Sequence, residues 1–178
     1  MISYAGIGAR KTPEDVLLSF KYLGAYFGKK GYTLRSGGAD GADSAFEVGA
    51  DAVEGKKEIY LPWRGFNGKY STLFPPSKEA IEVGKIFHPN WDNLSQGVQK
   101  LMARNSHQIL GPHLDSPVDF LVCWTPGGKG QGGTGQAIRI ANHYNIPIID
   151  FGKENAKETM NQLMDELNKK ETGENTDE

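Results

Sequence analysis

Long apolar runs are missing from this 178-residue sequence. The longest, Val118 to Trp124, is interrupted by Asp119 and falls far short of the roughly 18 residues that a membrane span needs. The N-terminus also lacks a basic segment followed by a long apolar stretch, which a secretory signal would have. From these absences we expect a cytoplasmic protein with no membrane partner.

Cysteine is nearly absent, and the charges nearly cancel. The single cysteine, Cys123, lies in an apolar run, which predicts a buried, inert thiol. The four histidines do not have the spacing of a zinc site, so we predict no metal and no cofactor. The net charge is −2, and residues 1–170 carry 20 bases and 18 acids. This balance disfavours a nucleic acid as the main partner, and the acidic segment 171–178 is predicted to be disordered.

Glycine, in contrast, is abundant: its 23 copies are about twice the average share. Short apolar strands alternate with helical patterns in the order β-α-β-α-β-insert-α-β-α-β-α. This order predicts one α/β domain over 1–170, a doubly wound, Rossmann-like, mainly parallel five-stranded sheet in the order 3-2-1-4-5 with helices on both faces. An irregular, aromatic-rich insert at about 62–91 is expected to be either a functional lid or a plug over the sheet edge.

Two details of the helices are also predicted. Thr12 precedes Pro13 and two acids, which is typical of an N-cap at Thr12 with proline as the first helical residue. Apolar spacing after the insert predicts a helix over 92–107.

Eleven of the glycines fall in three loops, 6–10, 36–41 and 127–135, and each loop follows a predicted strand. The carboxyl ends of parallel strands meet at one edge of the sheet, where ligands bind. Glycine lets the backbone approach a ligand closely, and backbone N–H groups at a helix N-terminus favour phosphate. We therefore predict a nucleotide or phosphate site. The predicted ligand-binding residues are Gly6, Gly8, Ala9, Arg10, Ser36, Gly37, Gly38, Ala39, Asp40, Gly132, Gly133, Thr134, Gly135 and Gln136, with Arg104 and Asn105 after the insert.

Several of these residues have an alternative structural interpretation. Arg104 and Asn105 can cap the end of a helix, and Asp40 and Asp43 can cap the start of another. The loops match neither a Walker A motif nor a clean G-x-G-x-x-G motif. The sequence therefore disfavours a P-loop NTPase and an ordinary NAD dehydrogenase.

The glycine loops resemble those of a known superfamily. Tyr4 to Arg10 (YAGIGAR) and Leu34 to Ala45 (LRSGGADGADSA) are similar to the first two motifs of the DNA-processing protein A (DprA/Smf) Rossmann-like domain. Gly-Gly-Thr-Gly at 132–135 is similar to the phosphate loop of the "lonely guy" (LOG) phosphoribohydrolases, and both families belong to the SLOG superfamily. Over about residues 2–151, including 103–105, the chain resembles small DprA-like proteins of bacteriophage genomes. The resemblance implies a nucleotide-shaped pocket and, for a phage protein, a place in the host cytoplasm.

This sequence lacks the glutamate of the phosphoribohydrolases that it resembles. In their pattern, Pro-Gly-Gly-x-Gly-Thr-x-x-Glu, the glutamate position falls on Thr134, or on Arg139 when the alignment is made on residues 132–133. The remaining catalytic candidates are Glu47 and Asp43 on the helix after the second loop. Glu47 is also readily explained as a structural acid.

Three functions stay open at this point. The favoured one is the sensing or sequestering of a small phosphorylated nucleoside, including the capture of a host defence signal by a phage protein. The second is an N-glycosidic hydrolase or transferase acting on nucleotides, so whether the protein is an enzyme is undecided. The third is DprA-like binding of single-stranded DNA. We expect a homo-oligomer, with the insert and the terminal helix as candidate interfaces.

Overall fold

The strands of residues 1–173 are short, mostly buried and all parallel. The computed structural model describes residues 1–173 and contains, within that range, five strands. They are β1 (Ser3–Gly6), β2 (Thr33–Ser36), β3 (Lys57–Ile59), β4 (Phe120–Cys123) and β5 (Ile148–Asp150). Their order in the sheet is β3-β2-β1-β4-β5, which confirms the predicted doubly wound topology. The strand order reverses between β1 and β4, where such sheets bind ligands.

Six helices cover the two faces of the sheet in the described part of the chain. They are α1 (Glu14–Lys29), α2 (Ala42–Ala52), α3 (Lys78–Phe87), α4 (Gln96–Leu110), α5 (Gly133–His143) and α6 (Ala156–Thr172). Helices α1, α2 and α6 pack on one face, and α3, α4 and α5 on the other. None of the helices of residues 1–173 is long and apolar enough to cross a membrane.

The two cores follow from the alternation of side chains along each strand. On β1, Tyr4 packs against α1 and Ala5 against the α4–α5 side. On β4, Phe120 and Val122 share the first core, and Cys123 lies in the second. Cys123 is buried, as predicted, and burial raises the pKa of its thiol well above its ordinary value. Both faces of these strands are apolar because helices cover both sides of the sheet.

The structure differs from the sequence prediction at several helix ends. Pro13, not Thr12, is the N-cap of α1, and the Thr12 hydroxyl instead donates a hydrogen bond to the Ala9 carbonyl, 2.6 Å away. The predicted helix over 92–107 begins later, at the capping residue Ser95, because 91–93 form a separate 3₁₀ turn. The insert contains helix α3, which the sequence analysis did not predict.

The predicted acidic tail lies largely outside the described residues, since 174–178 are not among them. Glu171, the first residue of that predicted segment, belongs to α6. Its carboxylate accepts a hydrogen bond from the Tyr32 hydroxyl at 2.9 Å and lies 3.6 Å from the Lys30 ammonium. These contacts attach the end of α6 to the short connection between α1 and β2.

Candidate functional site

A cleft of about 360 Å³ opens at the carboxyl ends of β1 and β4. The cleft forms here because the strand order reverses between β1 and β4, so the connections after these two strands run to opposite sides. The first and third glycine loops form two walls, and α4 forms the floor. The lining residues are Ile7, Gly8, Ala9, Arg10, Ala39, Asp43, Leu101, Met102, Arg104, Asn105, Gln108, Pro126, Gln131, Gly132, Gly133 and Thr134.

The third glycine loop divides into two halves with different roles. In the first half, Gly130 donates its N–H to the Thr125 hydroxyl at 3.0 Å, and that hydroxyl donates in turn to Asp150. Gly128 donates its N–H to the Thr125 carbonyl. These groups are therefore used inside the protein. The second half, 131–134, lines the cleft and leads into α5.

The second half of this loop leaves backbone donors free. Within residues 1–173, the N–H groups of Gly132, Gly133 and Thr134 donate to no protein acceptor, and the same holds for Ala9 and Arg10 across the cleft. The first turn of a helix has no intrahelical partner for its N–H groups, and its dipole favours an anion. The cleft thus presents two sets of unpaired donors to whatever occupies it.

Polar side chains converge at the floor of the cleft around Gly37. A Cβ atom on Gly37 would lie 2.9 Å from Asp43 Oδ2 and 3.0 Å from Arg104 Cζ, and it would collide with Gln108 Nε2. The Arg104 guanidinium donates to the Gly37 carbonyl at 2.5 Å and lies 5.1 Å from the centre of the Phe66 ring. Only glycine fits at position 37. Because it has no side chain, the side chains of Asp43, Arg104 and Gln108 can come together there.

Asp43 is the carboxylate of this floor, and only 3% of its surface is exposed. Burial raises the pKa of Asp43 to about 6, although the charge of Arg104 and the backbone N–H groups of Ala39, Gly8 and Gly37 lower it. The Ala39 N–H donates to Asp43 Oδ2 at 3.2 Å. Among the described residues, Asp43 is the only acid that lines the cleft. A carboxyl group with a pKa near neutrality can both donate and accept a proton at cellular pH.

Arg104 and Asn105 lie inside α4 and do not cap its end, so the capping interpretation was wrong. The Asn105 amide donates to the Gly133 carbonyl at 3.2 Å and so holds the start of α5. Burial lowers the pKa of Arg104, although the charge of Asp43 raises it. These two neighbouring residues connect the loop of α5 with the second glycine loop.

Other predicted site residues lie behind the cleft walls and do not line the cleft. The Ser36 hydroxyl donates to the Gly6 carbonyl at 2.6 Å and joins the ends of β2 and β1. Gly38 and Asp40 both accept hydrogen bonds from the Asn67 side chain. Gln136 is buried and donates to the Gly84 carbonyl at 3.1 Å. The predicted residues outside the lining are Gly6, Ser36, Gly37, Gly38, Asp40, Gly135, Gln136 and Glu47.

Glu47 points to a cluster of lysines at the outer side of the second loop. Its carboxylate lies 2.8 Å from the Lys57 ammonium and 3.1 Å from the Lys69 ammonium. Burial would raise the pKa of Glu47, but the hydrogen bonds and charges of the two lysines outweigh it and lower the pKa. This environment is that of a structural ion pair.

The insert supports the second loop from outside. Phe66 stacks on Arg104, Asn67 binds the backbone of Gly38, and Lys69 pairs with Glu47. No residue of 62–91 belongs to the cleft lining in the described structure. The insert is therefore placed as a buttress behind Arg104 and loop two, and it does not cover the cleft as a lid would.

Sequence reasoning missed six of the lining residues: Ile7, Leu101, Met102, Gln108, Pro126 and Gln131. Helical spacing offers a signal for two of them. Leu101 and Gln108 lie three residues before and four residues after Arg104, so they share its face of α4. A predicted contact at Arg104 therefore implied contacts at both positions.

Two solved structures resemble most of the chain. One is DNA processing protein A from Helicobacter pylori, whose structure was described for its single-stranded DNA binding mode. It is 19% identical to this chain, with a TM-score of 0.57. The match covers 93% of this chain and 72% of that one. The other is the structural genomics target TM1055, which is 18% identical, with a TM-score of 0.52 and coverage of 83% and 72%.

Neither a protein-family model nor a curated protein matches the sequence. At these identities the structural likeness shows the fold alone. The strand order and these two likenesses agree, and the chain has a Rossmann-like fold similar to that of DNA processing protein A.

Proposed function

We propose that the protein binds a small phosphorylated nucleoside in the cleft between β1 and β4. The observation that carries this proposal is the pair of unpaired backbone N–H sets, 9–10 and 132–134, on opposite walls of one cleft. Arg10 adds a positive charge at the rim, and Arg104 adds another at the floor. Such donors suit a phosphate, and the cleft volume of about 360 Å³ lies in the range of small-ligand sites.

Calorimetry with a panel of nucleoside mono- and diphosphates, cyclic nucleotides and ADP-ribose tests the proposal. We expect at least one compound to bind with a dissociation constant below about 1 mM, a modest affinity for such a site. Arg10→Ala should weaken binding, because it removes a charge from the cleft rim. Lys11→Ala removes the same charge from the next residue, which is also exposed but lies outside the lining, and serves as the control. No binding by any member of the panel would overturn the proposal.

In this function the protein senses or sequesters its ligand without converting it. The proposal includes a nucleotide signal, such as one used in host defence, as the ligand. Mass spectrometry of the denatured protein would identify a co-purified ligand and give the base and sugar directly.

A second candidate function is the cleavage or transfer of an N-glycosidic bond in a nucleotide. The observation that favours it is Asp43, a buried carboxylate that lies next to Arg104 on the cleft floor. Its pKa is about 6. Such a reaction needs a carboxylate that stabilises an oxocarbenium-like state or activates water. Asp43 can serve in this way, although the LOG-type glutamate is absent.

Chromatography of AMP, dAMP and CMP incubated with the protein tests this second function through the release of free base. If the reaction occurs, Asp43→Asn should lower the rate by about 100-fold or more, the usual effect of losing a general acid or base. Asp51→Asn changes a half-exposed acid on the same helix and is the matched control. A loss with Glu47→Gln in place of Asp43→Asn would assign the role to Glu47. No release at high protein concentration would exclude this function.

A further inference from the structure

The outer face of helix α1 carries two large apolar side chains that no described part of the chain covers. Leu18 is 68% exposed and Tyr22 is 69% exposed, and they lie one helical turn apart on the same face. The Tyr22 ring stacks on that of Tyr26, with the ring centres 6.3 Å apart, which extends the apolar strip. Single exposed apolar residues are ordinary, but a contiguous pair beside a groove is typical of a contact with another protein.

A groove of about 430 Å³ lies beside this pair, between α1 and α6. Phe151 and Met160 line it and also pack in the first core, so its base is apolar. Asp15 and Lys157 line it as well, and both are exposed. We call the groove and the exposed pair the α1 face.

The charges of α1 make this face complementary to itself. The exposed acids Glu14 and Asp15 occupy the first turn, and the exposed base Lys21 lies one turn beyond Leu18. At about 3.6 residues per turn, Glu14 and Lys21 flank Leu18 on one side of the helix. Asp15 and Tyr22 flank it on the other side, which is the side of the groove.

A second copy of the chain matches this arrangement when two α1 helices pack antiparallel about a two-fold axis at Leu18. The axis reverses the direction of the helix but keeps its two sides apart, so Glu14 lies opposite Lys21 of the second copy. Asp15 lies in the same way opposite Tyr22 of the second copy, whose hydroxyl can donate to the carboxylate. Each contact occurs twice, because a two-fold axis joins the same patch on both copies.

We infer that the protein forms a two-fold homodimer through the α1 face, with Leu18 at its centre and Tyr22 of each copy over the groove of the other. Acids at one end of the face and a base at the other are what contact with an identical copy requires, which favours this occupant over an unrelated protein. The terminal helix α6 supplies one wall of the groove, and the insert supplies none. The inference does not depend on what the cleft binds.

Sedimentation velocity of the full chain between about 5 and 500 µM tests the dimer. The contact is small, so we expect the mass to rise from one chain towards two, with a dissociation constant of about 10–100 µM. Leu18→Glu places two carboxylates on the axis and should keep the protein monomeric. Ile86→Glu changes another apolar residue, 76% exposed on α3, and should dimerise like the unmodified protein. A protein that is monomeric throughout, or a Leu18→Glu variant that still dimerises, would overturn the inference, and the first result would leave the α1 face to a different partner.

An exchange of charges tests the antiparallel pairing itself. Glu14→Lys and Lys21→Glu each place like charges opposite one another twice and should weaken the dimer by about fivefold or more. The double variant restores both pairs with the signs reversed, so its affinity should return to within about threefold of the original. An equimolar mixture of the two single variants should also dimerise, for the same reason. A double variant that is folded by circular dichroism and stays as weak as the single variants would contradict the pairing. If the double variant does not fold, the mixture decides.

Discussion

The burial of Asp43 suits a functional site but lowers the stability of the folded protein. Burial keeps water away from the carboxylate, and the Arg104 charge and three backbone N–H groups compensate only in part. A raised carboxyl pKa on a cleft floor is typical of functional sites. The same shift means that the ionised carboxylate destabilises the folded state at neutral pH.

The sign of this effect gives a prediction for pH. The ordinary pKa of the carboxyl group is 3.8 and the folded value is about 6, so the folded state holds the proton more tightly. The free energy of unfolding contributed by Asp43 therefore falls as the pH rises from about 4 to about 6. Asp43→Asn cannot ionise and should lose this dependence. Between pH 4 and pH 7 the variant should gain on the order of 2 kcal/mol relative to the unmodified protein.

Denaturant unfolding of both proteins at pH 4 and pH 7 measures this difference. Asp51→Asn, at a half-exposed position of α2, should show no such gain. Parallel pH profiles for Asp43→Asn and the unmodified protein would contradict the raised pKa.

A substitution at Gly133 should change ligand binding without lowering the stability of the fold. A Cβ atom there would meet only the tip of Met102, at 3.4 Å, and the backbone conformation is accessible to alanine. Gly133→Ala should therefore fold with unchanged stability or a gain of up to about 1 kcal/mol. The added methyl would stand beside the free N–H groups at the start of α5 and should weaken nucleotide binding by about tenfold or more.

Calorimetry and denaturant unfolding on the same preparation check both halves of this prediction. Gly97→Ala adds the same methyl on α4, outside the cleft lining, and should leave affinity unchanged. Full affinity in Gly133→Ala would mean that the α5 start does not contact the phosphate.

At the scale of the element, α1 and α2 cross so closely that their backbones touch. A Cβ on Gly24 would collide with the Phe46 carbonyl, and one on Gly49 with the Lys21 carbonyl. Neither glycine has a positive φ, so contact alone requires it. This crossing positions α2, and with it Asp43, against the end of β1.

Gly49→Ala should consequently destabilise the fold by about 1–3 kcal/mol, the usual cost of overpacking. Gly97→Ala changes another helical glycine, whose Cβ would have only the Trp63 ring within reach at 3.9 Å. It should be neutral or stabilising, because alanine favours a helix over glycine. Thermal or denaturant unfolding compares the two, and equal effects would contradict the close crossing.

The elements themselves were predictable to a large extent. Alternating apolar strands and helical stretches gave the correct order and sheet topology, since parallel pairing and right-handed crossovers leave few alternatives. Helix α3 was missed because prolines flank it and aromatic residues surround it, which is typical of irregular chain. Its Ser77 cap, which accepts a hydrogen bond from the Ala80 N–H, was a local signal that the composition concealed.

The site was predictable only where backbone geometry determines it. Glycine loops at strand ends lead directly to the cleft, and Gly8, Ala9 and 132–134 lie there. Side-chain direction is a tertiary property: nothing local shows that Gln136 turns towards α3 or that Glu47 pairs with two lysines. Gln108 was missed although its spacing places it on the Arg104 face of α4, because the burial of that face against the cleft is also a tertiary property.

At the scale of the whole molecule, the fold could bind either a nucleotide or a nucleic acid. The distribution of charge distinguishes these two kinds of ligand. Residues 1–170 carry only two more bases than acids. Three basic residues in or near the insert are paired with carboxylates: Arg35 lies 3.4 Å from Glu58, and Lys57 and Lys69 lie 2.8 Å and 3.1 Å from Glu47. The predicted homo-oligomer stays a prediction, which light scattering of the purified protein tests.

These pairings lead to a prediction about DNA. Proteins that bind single strands combine a basic groove with exposed stacking aromatics, and each neutralised phosphate makes binding weaker in salt. Because Arg35, Lys57 and Lys69 are paired to carboxylates, we expect no gel shift of a single-stranded oligonucleotide at about 0.15 M salt. We also expect the oligonucleotide to leave nucleotide binding in the cleft unchanged. A shift with a steep salt dependence, competed by nucleotides, would instead place DNA in the cleft and favour DprA-like binding over a small ligand.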